Sequence, residues 1–125
     1  MSEQRNIEIA KVWLESFNTR NLDRLVDLYD EDCVHVSPKL KVAKPETKGI
    51  VAGNKNLREW FAGSFAKYAK LEYIERSLTA NSERVWMEYL RRTPGEPDIM
   101  VAEILEIDGV KQKITRSRVY HGEQF

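Results

Sequence analysis

The sequence is poor in cysteine and histidine and carries no net charge. A single cysteine, Cys33, excludes an internal disulfide and any cysteine-rich zinc site. The two histidines, His35 and His121, offer no His-x-His or His-x₃-His spacing, so no metal site is expected. Twenty Lys+Arg balance twenty Asp+Glu, which removes the long-range field that would gather DNA, RNA or an anionic membrane. No apolar run approaches the ~20 residues of a membrane span. The polar start MSEQRNIEIA does not read as a secretory leader. No glycine-rich loop opens a phosphate site, since Gly49-x₃-Gly53 has the wrong context, and no cofactor is expected. A lone thiol fits a reducing, cytoplasmic compartment.

What is present suits one globular domain spanning residues 1–125. Hydrophobic residues make up 42% of the chain, and 125 residues are enough to bury a real core. Ile9, Ala10, Trp13, Leu14 and Phe17 recur at helical spacing. Asn18-Thr19-Arg20-Asn21 breaks that helix, and Asn21 can cap a second one carrying Leu22, Leu25, Val26, Leu28 and Tyr29. Asp30-Glu31-Asp32 reads as its end. Cys33–Ser37 reads as a strand stopped by Pro38. Residues 38–56 lack periodicity and read as a long loop. A third helix is expected over 56–69, with Leu57, Trp60, Phe61, Phe65 and Tyr68 on one side. Strands are expected near 70–79, 83–92, 98–107 and 111–121, separated by Asn81-Ser82, Pro94-Gly95-Glu96-Pro97 and Asp108-Gly109. This order gives an α+β fold: a curved antiparallel sheet over three helices, enclosing a cavity.

Several segments carry a family likeness. They are Trp13–Asn18 through Asn21-Leu22-Asp23, Leu28–Val34, Gly53 with Leu57–Phe61, and Ile114–His121. In this order the chain resembles the SnoaL-like branch of the nuclear transport factor 2-like superfamily over nearly all its length. The resemblance implies a cone-shaped, cystatin-like α+β roll. It does not fix an activity, because that fold carries isomerases, cyclases, hydrolases, dehydratases and non-enzymatic binders. Ketosteroid isomerases of the fold place a Tyr, an Asp and a second Asp where this chain has Trp13, Ser37 and Glu103. Their general base is therefore missing. The two Asp positions of limonene epoxide hydrolases fall within Arg84-Val85-Trp86 and Arg118–His121, where no Asp occurs. Neither chemistry is expected.

Strand alternation sorts the remaining candidates. With Glu103 facing the cavity, a turn centred near Gly95-Glu96 sets Glu88 opposite it and turns Arg84, Trp86 and Leu90 inward. His35 and Ser37 face inward on the first strand, and Ser117, Val119 and His121 on the last. Two carboxyls walled by Trp86 and Trp13 would share a proton with difficulty, since like charge and desolvation both raise a carboxyl pKa. A neutral carboxyl can donate to a developing oxyanion, with His35 or His121 as the base. The competing reading pairs Glu88 and Glu103 with Arg84 or Arg76 as a structural network.

The expected function is binding of a small hydrophobic molecule, with a cofactor-free isomerase, cyclase or dehydratase as the sharper form. Glu103, Glu88 and His35 are its catalytic candidates. Trp13, Ser37, Trp60, Trp86, Arg84, Ser117 and His121 are its ligand-binding candidates. The alternative is a non-catalytic ligand-binding or dimerisation domain. Lys39, Lys41, Lys44, Lys48 and Lys55 form either a solvated loop or a basic mouth. The outer sheet face, read as Val85, Met87, Tyr89, Ala102, Ile104 and Tyr120, is expected to make a homodimer.

Overall fold

One face of the first helix carries Asn6, Ala10, Trp13, Leu14 and Phe17, all buried, and this face sets the helix against a sheet. In the computed structural model, which describes residues 2–125, helix α1 spans Ser2–Asn18 and α2 spans Leu22–Asp27. The Asn21 side chain accepts a hydrogen bond from the Arg24 amide and caps α2 as expected. The chain continues through β1 (Tyr29–Val36), α3 (Pro38–Ala43), a 3₁₀ turn (Pro45–Thr47), β2 (Ile50–Ala52) and α4 (Asn54–Lys67). Four strands complete it: β3 (Glu72–Ala80), β4 (Arg84–Arg92), β5 (Ile99–Asp108) and β6 (Lys113–Gln124). The fold is α+β, with α1 set against β3 and β4 and α4 set against β1 and β2.

The sheet order is β2-β1-β6-β5-β4-β3. Register shifts in β1, β3 and the β5–β6 pair bend the sheet around the helices. Three expectations need correction. The sheet is mixed, because β1 runs parallel to β6. Nothing local in the sequence marks that pairing, which joins strands some eighty residues apart. Residues 38–56 are not one loop but hold α3, the 3₁₀ turn and β2, so the described residues form four α-helices rather than three. Pro38 sits in the first turn of α3, where a missing N–H costs nothing. Tyr29 and Asp30–Asp32 belong to β1, not to the end of α2. The turn after α3 depends on Gly49, whose φ is +82° and whose hypothetical Cβ would lie 2.9 Å from the Ser37 carbonyl. The Gly49 carbonyl in turn accepts from the Ser37 amide at 2.9 Å and fixes the end of β1.

The β4–β5 register decides which side chains meet. Met87 lies opposite Glu103, Tyr89 opposite Val101 and Val85 opposite Leu105. The hairpin is therefore centred on Gly95, one half-residue from the expected centre. That displacement reverses the faces of β4, because side chains alternate with a period of two. Val85, Met87 and Tyr89 point into the core, while Arg84, Trp86 and Glu88 lie on the outer face.

Candidate functional site

Between the inner face of the sheet and the helices lies a cavity of about 610 Å³. This volume is within the ordinary range for small-molecule sites. Its wall is aromatic. Phe17 stacks on Tyr73 at 4.0 Å and Tyr73 on Tyr89 at 4.2 Å between centroids. Trp13 stacks on Phe17 at 5.6 Å, and Phe61 meets Phe17 edge-on at 6.2 Å. The nearly parallel rings of Trp13, Phe17 and Tyr73 give the wall a flat surface.

Two polar groups interrupt it. Glu103 is 1% exposed. The Tyr89 hydroxyl donates to its Oε1 at 2.8 Å. Among the described residues, its Oε2 has no hydrogen-bond partner. Burial pushes the Glu103 pKa up to about 8, opposed by the Tyr89 hydrogen bond. The carboxyl therefore keeps its proton at neutral pH. Because Oε1 is the acceptor for Tyr89, that proton belongs on Oε2.

The second group is His35, 3% exposed, whose Nδ1 is 2.6 Å from Ser117 Oγ. Ser117 Oγ is 3.0 Å from the Tyr29 hydroxyl, which accepts from Trp13 Nε1 at 3.0 Å. The parallel pairing of β1 and β6 sets His35 beside Ser117. Burial lowers the His35 pKa to about 4, so the ring is neutral and a weak base at neutral pH. Burial also pushes the Tyr29 hydroxyl far above its ordinary range.

The mouth is basic. Arg91, only 4% exposed, pairs with Glu96 at 2.9 Å and lies over the Tyr68 ring at 5.0 Å. Lys39 also reaches Glu96 at 3.3 Å. His121 stands at the rim, its pKa lowered by burial and then by Lys39 and Arg91. Of the loop lysines, Lys39 and Lys44 border the opening.

The structure thus gathers Trp13, His35, Ser37, Trp60, Glu103 and His121 around one cavity. Ser117 stands directly behind His35. The other three candidates are elsewhere. Glu88 lies opposite Ala102, not Glu103, and accepts from Ser77 Oγ at 2.9 Å. Trp86 is 37% exposed on the outer face, with the Arg84 guanidinium 5.8 Å from its ring centroid. No Glu88–Glu103 pair forms. Glu103 is raised by desolvation, with no second carboxylate among the causes. The sequence reading missed Tyr29, Tyr73, Tyr89 and Arg91. The alternation Val85-x-Met87-x-Tyr89, three large apolar residues on one face, was the available signal for β4. Among the described residues, no cluster of three His, Cys, Asp or Glu side chains gathers, and no helix is long and apolar enough to cross a membrane.

Residues 10–117 match the SnoaL-like domain. The chain belongs to the SnoaL-like family. Its fold is similar to that of a SnoaL-like protein of unknown function from Burkholderia thailandensis, at 13% identity and TM-score 0.85 over 96% of both chains. An epoxide hydrolase/cyclase-like enzyme of pyran-ring formation in salinomycin is 19% identical, with TM-score 0.77 over 98% of this chain and 95% of that one. An uncharacterised cystatin-fold protein from Novosphingobium aromaticivorans is 18% identical, with TM-score 0.75 over 92% and 97% of the two chains. At these identities the likeness is one of fold. No curated protein sequence matches the chain.

Proposed function

We propose that this SnoaL-like chain, acting as one domain, binds a small, neutral, largely apolar molecule bearing a carbonyl-type oxygen, with Glu103 as its hydrogen-bonding acid. The observation that carries this reading is the unpartnered Oε2 of a buried carboxyl on the wall of an aromatic cavity. A protonated carboxyl in such a place can donate to a ligand oxygen and stabilise negative charge developing there. Trp13, Trp60 and the Tyr73 ring supply flat apolar contact, and Ser37 and His121 supply polar contacts nearer the rim. The sharper form is a cofactor-free isomerase, cyclase or dehydratase in which Glu103 is the general acid. The fold of the salinomycin enzyme is compatible with that form. One observation favours binding without turnover instead: the buried imidazole of His35 is a weak base.

A thermal-shift series with aromatic ketones, phenols and lactones tests the proposal. A ligand present at about 100 times its Kd adds about 2.7 kcal/mol, or several degrees in Tm. A carbonyl compound is expected to stabilise the wild type and to lose most of that shift in Glu103→Gln. The reading fails if no compound stabilises the protein, or if the shift is unchanged in Glu103→Gln.

The outer sheet face supports a second proposal, a homodimer. Trp86 and Tyr120 are 37% and 51% exposed there, beside half-buried Ala102 and Ile104. Val85, Met87 and Tyr89, expected on this face, are in the core instead. Light scattering at micromolar concentration is expected to give twice the chain mass, falling to one chain mass for Trp86→Glu. A monomeric wild type contradicts the dimer.

A further inference from the structure

We propose that Trp13, Tyr29 and Ser117 form a one-way hydrogen-bond relay that fixes His35 as the Nε2–H tautomer, so that this ring meets the ligand as a donor. An indole N–H can only donate, so the Tyr29 oxygen accepts from Trp13. Among the described residues, the Tyr29 hydroxyl has one further partner, Ser117 Oγ at 3.0 Å. Tyr29 is buried, and a buried hydroxyl proton without an acceptor is costly. The Tyr29 proton therefore goes to Ser117. The Ser117 oxygen, fully buried, is then an acceptor toward Tyr29, and its own proton has one remaining partner, His35 Nδ1 at 2.6 Å. Nδ1 accepts, and the ring proton must sit on Nε2.

The opposite tautomer would leave either the Ser117 proton or the Tyr29 proton without an acceptor in the core. His35 borders the cavity, and among the described residues Nε2 is the ring nitrogen left without a partner. Trp13, Tyr29 and Ser117 are thus positioning residues, and Ser117 acts through His35 rather than on a ligand. This inference rests on the binding reading above and sharpens it. With a donor at His35 and a donor at Glu103, the cavity selects a neutral molecule carrying acceptor oxygens and no N–H or O–H at those points, such as a lactone, ester or diketone.

Nitrogen-15 NMR of ligand-free protein labelled at histidine tests the relay directly, with His121→Asn used to assign the two rings. The wild type is expected to show His35 Nδ1 as an unprotonated nitrogen and Nε2 as a protonated one at neutral pH. A protonated Nδ1, or two averaged nitrogens, overturns the relay. Tyr29→Phe frees the Ser117 hydroxyl to turn, and Ser117→Ala removes it. In whichever variant folds, the two His35 nitrogens are expected to move toward averaging, and a single retained Nε2–H tautomer overturns the role assigned to the relay. Coumarin and 2-quinolinone then test selection, since they differ only by an oxygen against an N–H. Coumarin is expected to give the larger thermal shift. An equal or larger shift from 2-quinolinone contradicts the acceptor-only preference. Absence of both shifts counts against the binding reading alone, because the tautomer is read without ligand.

Discussion

Above about pH 8, Glu103→Gln is expected to be more stable than the wild type. The folded state holds the Glu103 proton up to about pH 8, against an ordinary value of 4.5. Its contribution to stability is full below about pH 4.5 and is lost as pH rises through about 8. At 1.36 kcal/mol per pKa unit, the loss is on the order of 5 kcal/mol. The cause is physical: at high pH the wild type must bury a carboxylate whose single protein hydrogen bond comes from Tyr89. Gln keeps an oxygen for that hydroxyl and never ionises.

His35 runs the other way. Its pKa falls from 6.5 to about 4 on folding, so its contribution is full above about pH 6.5 and is lost as pH falls through 4. Between about pH 4.5 and 6.5 the two slopes cancel. Urea denaturation across pH is therefore expected to give a plateau there for the wild type, with a fall on each side. Glu103→Gln is expected to lose the alkaline fall and the plateau with it, so that its acid fall begins near pH 6.5, where the uncancelled His35 slope starts. An alkaline fall of equal size in Glu103→Gln would assign it to another group.

Phe17→Ala is expected to cost about 3–5 kcal/mol, the usual range for truncating a buried aromatic, and to lower Tm by 10 °C or more. Phe17 is 2% exposed and touches Trp13, Phe61, Phe65 and Tyr73, so its ring joins α1, α4 and β3. It also lines the cavity, and its loss removes the floor on which Tyr73 stacks. Val42 at the mouth is the control, being 82% exposed although it borders the same cavity. Val42→Ala is expected to change stability by less than about 0.5 kcal/mol. Calorimetry of the two variants separates a wall that is also core from a rim that is not. A small effect at Phe17 would mean that the aromatic wall is loosely packed.

The two variants mark what the sequence could and could not reveal. Helices α1, α2 and α4 were legible because their apolar residues recur at 3.6-residue spacing and Asn21 signals a cap. The inward set His35, Ser37, Ser117 and Glu103 was legible because β1, β5 and β6 alternate cleanly near the cavity. Position β4 failed for a different reason. The turn Pro94-Gly95-Glu96-Pro97 fixes that a hairpin exists but leaves its centre open by half a residue, and that half residue sets Met87 rather than Glu88 opposite Glu103 and turns Tyr89 to the same face. The β1–β6 pairing, and with it the contact between His35 and Ser117, depends on strands far apart in sequence. No local pattern encodes it. Residues 38–52 fold as short elements held by tertiary contacts, with Leu40 and Val51 as their buried anchors, too short to register as periodicity.

A ligand-binding acid at Glu103 requires a protonated oxygen facing the cavity. Infrared difference spectra between the wild type and Glu103→Gln, recorded from about pH 5 to pH 9, test it most directly. A carboxylic-acid C=O band is expected at pH 7, absent in the variant and disappearing with a midpoint near pH 8. A carboxylate band in its place at pH 6 would contradict it.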